Sequence, residues 1–311
     1  MTDNRGREIS VCLLTYNHVD VVESTLRSIL DQTVSGYEVI VSDDSSSDGT
    51  WERILTLARE DDRIKPVRTP RNMGMAANAN FAVRHAARPY VALLHHDDLY
   101  RQDLLDQWLG VMERHADVGF VFNQYGFYQS SLVKAHPFVD ERLDGRWFLV
   151  NHLLAHWGCP VRGVAMIRRA WWLKVDGMRE HFGLLADVDL WMRLAAATAV
   201  GYVAEPLVTV RHARPAYYPD IYKSFSWRTQ RYLYEIHAAN HQAYWDVGTL
   251  AGRLRWWRFR FRLSRETGRW LAYAVVRRKR SMIATSGDGA TPYDLYPLRL
   301  LRVTLRALAR L

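Results

Sequence analysis

Two adjacent carboxylates stand directly after a short apolar run: Asp97-Asp98 follow Pro89–Leu94 (PYVALL) and the pair His95-His96. Side-by-side acids repel unless a cation or hydrogen-bond donors compensate them. A divalent ion, Mg2+ or Mn2+, bridging to a diphosphate would do so, because Mg2+ takes one or two protein carboxylates together with phosphate oxygens. The plainer account is one helix cap beside one solvated acid. Asp43-Asp44, after Tyr37–Val41 (YEVIV), has the same two readings, since Asp-Asp-Ser-Ser is also good turn chemistry. Asp187 opens the stretch ADVDLWMR at a helix start. It either complements the helix dipole or serves as a general base, with Glu180 and Asp189 as competitors for that role.

Elements that would hold these groups alternate between strand and helix. Ile9–Leu14 (ISVCLL) reads as a buried strand ending at Thr15-Tyr16-Asn17. Asp20 is expected to cap a helix with Val22, Leu26, Ile29 and Leu30 on one face. Tyr37–Val41 is the next strand, and Asp48 the expected cap of a helix carrying Trp51, Ile54, Leu55 and Ala58. Ile64–Arg68, Pro89–Leu94 and Val118–Phe122 complete five strands, with helices running to about Ala87 and from about Gln102 to His115. Such alternation predicts a doubly wound sheet with ligands at the carboxyl ends of its strands. Three of those ends carry polar residues: Thr15–Asn17, Asp43–Asp44 and Asp97–Asp98.

Several function classes drop out. No GxGxxG follows the first strand and no GxxxxGK[ST] occurs anywhere, which removes a dinucleotide Rossmann site and the P-loop NTPases. Cys12 and Cys159 cannot form a disulfide framework, and neither lies in a C-x-x-C pattern. The polar start MTDNRGREIS has no export signal, and no apolar run is long enough to cross a bilayer, so a cytoplasmic location is expected. Charge is unevenly placed: residues 1–210 hold 22 Lys+Arg against 27 Asp+Glu, and residues 211–311 hold 20 against 6. The acidic part suits a catalytic body and the basic part an anionic partner.

Five segments in order, VCLLTYNHVDVVESTLRSILDQT, YEVIVSDDSSSDGT, NMGMAANANFA, YVALLHHDD and GLLADVDLWMRLA, resemble the family 2 glycosyltransferases of the GT-A fold over residues 8–212. The resemblance implies an α/β fold with a mixed, mainly parallel sheet flanked by helices, and an inverting enzyme using a nucleotide-diphosphate sugar. Carried over by motif, Thr15, Tyr16, Asn17, Asp43 and Asp44 would line the base and ribose pocket, with Asn80 and Asp97 also on the donor. Asp97 and Asp98 would hold the divalent cation, and Asp187 would be the catalytic base. Two positions depart from the family: His95 stands where an acid is frequent, as a ligand or a packing residue, and Ala186 replaces a frequent Glu. Trp157, Trp171, Trp172 and Trp191 are acceptor-stacking or core residues. Arg211-His212 lies near a family Arg-x-His pattern without the intervening residue, which makes His212 a further ligand candidate.

The C-terminal third adds a second feature. In residues 251–280 Trp256, Trp257, Phe259 and Phe261 interleave with Arg253, Arg255, Arg258, Arg260 and Arg262. That pattern suits an anionic membrane surface, a helical subdomain with its arginines solvated, or nucleic acid; the first is favoured and nucleic acid disfavoured. Residues 285–292 read as a linker to an amphipathic helix, Leu298–Leu311. The expected organisation is a GT-A domain over 1–215 and a helical, basic region over 216–311. The expected activity is transfer of a sugar to a glycan or lipid-linked acceptor in cell-surface polysaccharide or glycolipid assembly, at the cytoplasmic face of a membrane. The rival is a non-catalytic sugar-nucleotide-binding scaffold on a degenerate GT-A body, motivated by His95 and Ala186.

Overall fold

A computed structural model describes residues 4–155, 159–211, 227–277, 279, 282–283, 291 and 301. The expected linker at 285–292 and helix at 298–311 lie outside the described residues except for single positions, as do Trp157 and His212. The chain divides into two compact units, Met1–Ala213 and Arg214–Leu311.

The first unit alternates as its sequence implies: β1 (Ile9–Thr15), α1 (Val19–Leu30), β2 (Glu38–Asp43), α2 (Thr50–Glu60), β3 (Ile64–Arg68), α3 (Met75–His85) and β4 (Tyr90–His95). There follow β5 (Leu99–Tyr100), α4 (Leu104–Arg114), β6 (Val118–Phe127), β7 (Val133–Lys134), β8 (Arg142–Leu143) and α5 (Gly145–Phe148). The unit closes with β9 (Ala165–Arg168), α6 (Arg169–Lys174), α7 (Ala186–Ala197) and β10 (Ala199–Val210). One sheet runs β3-β2-β1-β4-β9-β6-β10-β5, with β7 on β6 and β8 on β10. The pairs among β1 to β4 and the β6–β10 pair are parallel, whereas β9 lies antiparallel between β4 and β6. This is the mixed, mainly parallel α/β sheet that the five motifs imply. Strands β1 and β2 are buried at every position, as continuous apolar runs covered on both faces must be. The α1 face Val22, Leu26 and Ile29 packs into the core with Leu13, Val39, Trp108 and Met166.

Two caps differ from expectation. Helix α1 begins at Val19, ahead of Asp20, and Gly49, not Asp48, stands at the N-cap of α2 with φ 96°. Asp48 instead accepts the amide of Thr50 at 3.0 Å and the amide of Val19 at 3.1 Å, so one carboxylate satisfies orphan donors at two helix starts. Gly145 is required by close approach, because a Cβ there would lie 1.7 Å from the Thr198 carbonyl oxygen.

Register places the functional side chains. Thr15 is level with Asp43, Asp43 with Arg68, and Leu14 with His95, so the four parallel strands β1 to β4 end along one edge. Because β9 runs the other way, with Ala165 opposite Leu93, the residues leading into it arrive at that same edge. In the second unit α8 (Trp227–Tyr244) and α9 (Leu250–Val276) form a helical pair, with Thr249 capping α9 through the Gly252 amide at 3.0 Å. Phe259 of α9 is buried and its ring lies 4.6 Å from that of His241. Among the described residues no helix is long and apolar enough to cross a membrane.

Asp189 anchors α7. Fully buried, it accepts from Arg193 Nε at 2.7 Å and Arg179 Nη1 at 3.3 Å, while Arg193 also donates to the carbonyls of Val175 and Gly177. A carboxylate so enclosed is a structural acid and leaves the competition for general base. Replacing Asp189 with Ala strands a part-buried guanidinium, a change that typically costs about 3–5 kcal/mol. Urea denaturation should show the midpoint falling accordingly, and an unchanged midpoint would contradict this anchoring role.

Candidate active site

At the β1 and β2 ends, the side chains form one hydrogen-bonded network. Asp43 is fully buried, accepts the Ser46 amide at 3.0 Å and pairs with Arg68 Nε at 3.2 Å, while Thr15 Oγ1 lies 3.4 Å from its Oδ1. Asp44 accepts the amides of Met73 at 2.9 Å and Gly74 at 2.8 Å and the Thr69 hydroxyl at 2.8 Å, which fixes the turn that starts α3. Asn17, at φ 49°, donates its amide to Ser46 Oγ and accepts the Ser47 amide, both at 2.9 Å. These residues therefore form one hydrogen-bonded cluster at the strand ends, with half-buried Tyr16 beside it. Asn80 lies elsewhere. Its amide group is engaged on both sides by the backbone of Met178, at 2.8 and 2.9 Å, so it orders the 177–180 loop beside a cavity of about 510 Å3 lined also by Trp172, Arg179 and Glu180.

The β4 end holds the acidic pair. One ligand atom each from His95, Asp97 and Asp98 can be chosen with all three within 4.8 Å of one another. Asp98 is fully buried, and neither carboxylate oxygen meets a donor in close hydrogen-bond geometry; Arg162 Nη2 stands at ion-pair distance, 3.5 Å, and the Arg211 amide lies nearby. Burial and the neighbouring Asp97 push its pKa up to about 7 against the pull of Arg162. Burial also raises Asp97, but the positive charge that His96, His95 and His18 carry when protonated, together with that of Arg162, outweighs it and leaves its pKa low. Burial lowers both His95 and His96, which keeps the imidazoles neutral and able to ligate. The turn is braced from behind: Tyr100 Oη accepts the His95 amide at 2.8 Å and donates to its carbonyl at 2.7 Å, and Thr25 Oγ1 lies 2.8 and 2.9 Å from the carbonyls of His96 and Asp98. Two carboxylates and a neutral imidazole, with buried oxygens lacking donors, fit a divalent cation.

Asp187 faces this cluster across Gly163. A Cβ on Gly163, whose φ is +82°, would stand 2.8 Å from His95 Cε1 and 3.0 Å from Asp187 Oδ2. The backbone thus passes between base candidate and cation cluster where no side chain fits. Asp187 Oδ1 accepts the amide of Val188 at 2.8 Å. Burial raises its pKa to about 6, while the Val188 amide and the nearby Trp191 indole hold it down. Trp191 itself is fully buried, its ring 5.1 Å from that of Phe120. It cannot stack on an acceptor sugar, which corrects that expectation: one helical turn beyond Asp187, α7 turns this face into the core. Trp172 is buried as well, and Trp171 lies under Lys174 Nζ at 4.2 Å. Arg162, Gly163, Tyr100 and Thr25 stand at this cluster though the motifs did not single them out. Arg162 and Gly163 lie inside the segment WGCPVRGVAMIRR, where no spacing rule marks them.

Comparison with known proteins bears on the family and the fold. Residues 10–171 match the description of Glycosyl transferase family 2. EpsE of Bacillus subtilis (strain 168), described as a glycosyltransferase, is 28% identical over 224 residues, covering 69% of this chain and 76% of that protein. The Escherichia coli UDP-Glc:alpha-D-GlcNAc-diphosphoundecaprenol beta-1,3-glucosyltransferase WfgD is 28% identical over 117 residues, 38% of this chain and 45% of its own length. The fold is similar to the crystal structure of S. aureus TarS 1-349 in complex with UDP-GlcNAc, with TM-score 0.69 at 16% identity over 97% of this chain and 87% of that one.

The Asp98 environment makes a prediction. An acid without donors gains by binding a cation, so Mn2+ should raise the melting temperature, a ligand at a hundred times its Kd contributing about 2.7 kcal/mol. Asp98→Asn should abolish that rise in differential scanning fluorimetry without lowering the melting temperature of the metal-free protein. A Mn2+ shift that persists in Asp98→Asn would rule this acid out as a ligand.

Proposed function

The chain belongs to glycosyl transferase family 2 and is a glycosyltransferase, and from that premise we propose that it transfers a sugar from a nucleotide-diphosphate donor to an acceptor hydroxyl with inversion at the anomeric carbon. The observation that carries this reading is the placement of Asp187 opposite the His95–Asp97–Asp98 cluster across Gly163. The reaction forms the bond from the acceptor oxygen to the anomeric carbon as the bond to the diphosphate oxygen breaks. Asp187 takes the acceptor proton, and its raised pKa of about 6 leaves it both ionised and basic near neutral pH. His95, Asp97 and Asp98 would hold the cation, which when bound neutralises charge developing on the departing nucleoside diphosphate. Arg162, beside Asp98, contributes a permanent positive charge at the same edge.

The cluster built by Thr15, Tyr16, Asn17, Asp43 and Asp44 is assigned to the nucleoside. Asp43 and Asp44 act there by holding backbone in place, because their oxygens already accept bonds from Ser46, Met73 and Gly74. Asn80 is assigned to positioning the 177–180 loop on the donor side. A glycan or lipid-linked glycan is the acceptor class, in keeping with the diphosphoundecaprenol substrate in the name of WfgD. The protein is accordingly assigned to cell-surface polymer or glycolipid assembly, working as a peripheral protein on the cytoplasmic face of a membrane. The binding-only alternative draws on His95 and Ala186. The first argument weakens, since a neutral imidazole in the cluster is itself a competent ligand.

Nucleoside diphosphate release from a panel of UDP-, GDP- and dTDP-sugars with Mn2+ tests the reading. Asp187→Asn should lower kcat by roughly 10²–10⁴, the usual contribution of a positioned base. In the parent, kcat/KM should fall as pH drops through about 6, where Asp187 takes up its proton and ceases to be a base. Parent-level turnover in a folded Asp187→Asn protein would remove the base assignment.

A further inference from the structure

We propose that one face of α9 docks onto an anionic lipid surface, and that the face consists of Leu250, Leu254, Trp257 and Phe261 with a flank of arginines. This deepens the membrane-station part of the proposed function and does not depend on the catalytic site. The four residues recur at i, i+4, i+7 and i+11, one stripe of a helix. All four are exposed, at 69%, 52%, 57% and 50%. The stripe continues through Gly268, where a Cβ would meet nothing within 4 Å, to Val275, exposed at 44%. Over 27 residues it extends for about 40 Å.

The opposite face of α9 is already used. Gly252, Phe259, Leu263, Thr267, Leu271 and Ala274 are buried, and Thr267 Oγ1 lies 3.4 Å from Tyr234 Oη of α8. Trp256 turns toward that side, half-buried with its ring 5.2 Å from Phe259. The helix therefore separates two apolar faces, one packed and one presented. Trp257 and Phe261 are stacked at 5.6 Å on the presented one, a pair of ring sizes suited to the headgroup boundary.

Charge selects the occupant. Exposed Arg258, Arg265 and Arg269 run along one border of the stripe and Arg253 along the other, and Glu266 is the single acid in the helix. Residues 211–311 as a whole hold 20 basic against 6 acidic side chains. A second copy seated on this face would bring like charges together, whereas an anionic bilayer complements them. Nucleic acid would match the arginines but not the aliphatic Leu250, Leu254 and Val275, which offer no stacking surface.

Sedimentation of the full chain with vesicles of phosphatidylcholine, with and without phosphatidylglycerol, tests this. Binding should require phosphatidylglycerol and weaken as salt rises, because screening shortens to about 8 Å at physiological ionic strength. Arg258→Gln, Arg265→Gln and Arg269→Gln should each cost about fivefold in affinity, and Trp257→Ser with Phe261→Ser at least tenfold. These side chains are exposed, so melting temperatures should match the parent. Trp256→Phe should leave vesicle binding within about twofold, a control that separates the two faces. UDP and GDP binding, followed by thermal shift, should be unchanged in every variant, so a failed site assignment would appear there and not in the vesicles. The proposal is overturned if the parent does not sediment with anionic vesicles, or if Trp257→Ser with Phe261→Ser binds as the parent does. It is equally overturned if that double variant instead dissociates an oligomer, or if single-stranded RNA displaces the vesicles and loses affinity in the same variants.

Discussion

The active edge depends on register. Parallel pairing sets Thr15 beside Asp43 and Leu14 beside His95, so the chain must leave β1, β2 and β4 at one level. A slip of one residue would reverse the face of every side chain in a strand and carry the polar ends out of line. Burial makes that slip costly, since each position of β1 and β2 is enclosed. The antiparallel β9 then delivers Arg162 and Gly163 to the same edge, which no parallel strand in that slot could do. Core packing and chemistry are thus one constraint seen from two ends of the strands.

At that edge the protein accumulates more negative charge than it neutralises. Asp43 is compensated by Arg68 and Ser46, and Asp44 by two amides and a hydroxyl, so both are settled within the fold. Asp98 is not. With no donor in close hydrogen-bond geometry, and with Arg162 at 3.5 Å and the Arg211 amide nearby, it retains a pKa pushed toward neutrality by burial and by Asp97. Contrasting environments for neighbouring acids mark a site organised for a ligand, because a purely structural pair would have been supplied with donors. Asp187 occupies a third environment, part-enclosed at a helix start, and its pKa shifts far enough to accept a proton near neutral pH.

How much of this was legible in the sequence follows from what each signal encodes. The buried runs ISVCLL, YEVIV and PYVALL announce their strands, and polar residues after them announce the edge. Strand β10 escapes because Ala204-Glu205-Pro206 interrupts it with a loop-like signal, and β9 because four residues are too few to stand out. The acidic pair was readable from its place after the buried run PYVALL. Its electrostatic state was not, since the depth of Asp98 and the approach of Arg162 depend on strand order. Side-chain direction on helices was the weakest inference: Trp191 points into the core and Asn80 onto the backbone of Met178, although both sit in the right motifs. A motif gives residue type and spacing, whereas direction requires knowing which face the helix buries.

The two units separate charge in a way that one compact domain would handle poorly. Under the proposed function, a site that gathers a cation beside a diphosphate needs carboxylates that free guanidinium groups would otherwise neutralise. Unit one pairs several of its arginines away from that edge: Arg53 with Glu23, Arg63 with Asp61, Arg101 with Asp103 and Glu205, Arg114 with Glu141, and Arg142 with Asp117. Such surface pairs add little stability individually, but they remove mobile cations from competition for the acidic edge. The helical unit is built the other way. In α9 seven arginines share one acid, so most of its cationic groups have no carboxylate on their own helix. Helix α9 buries its other face, with Phe259 beside His241 of α8, and that packing leaves the stripe of Trp257 and Phe261 exposed.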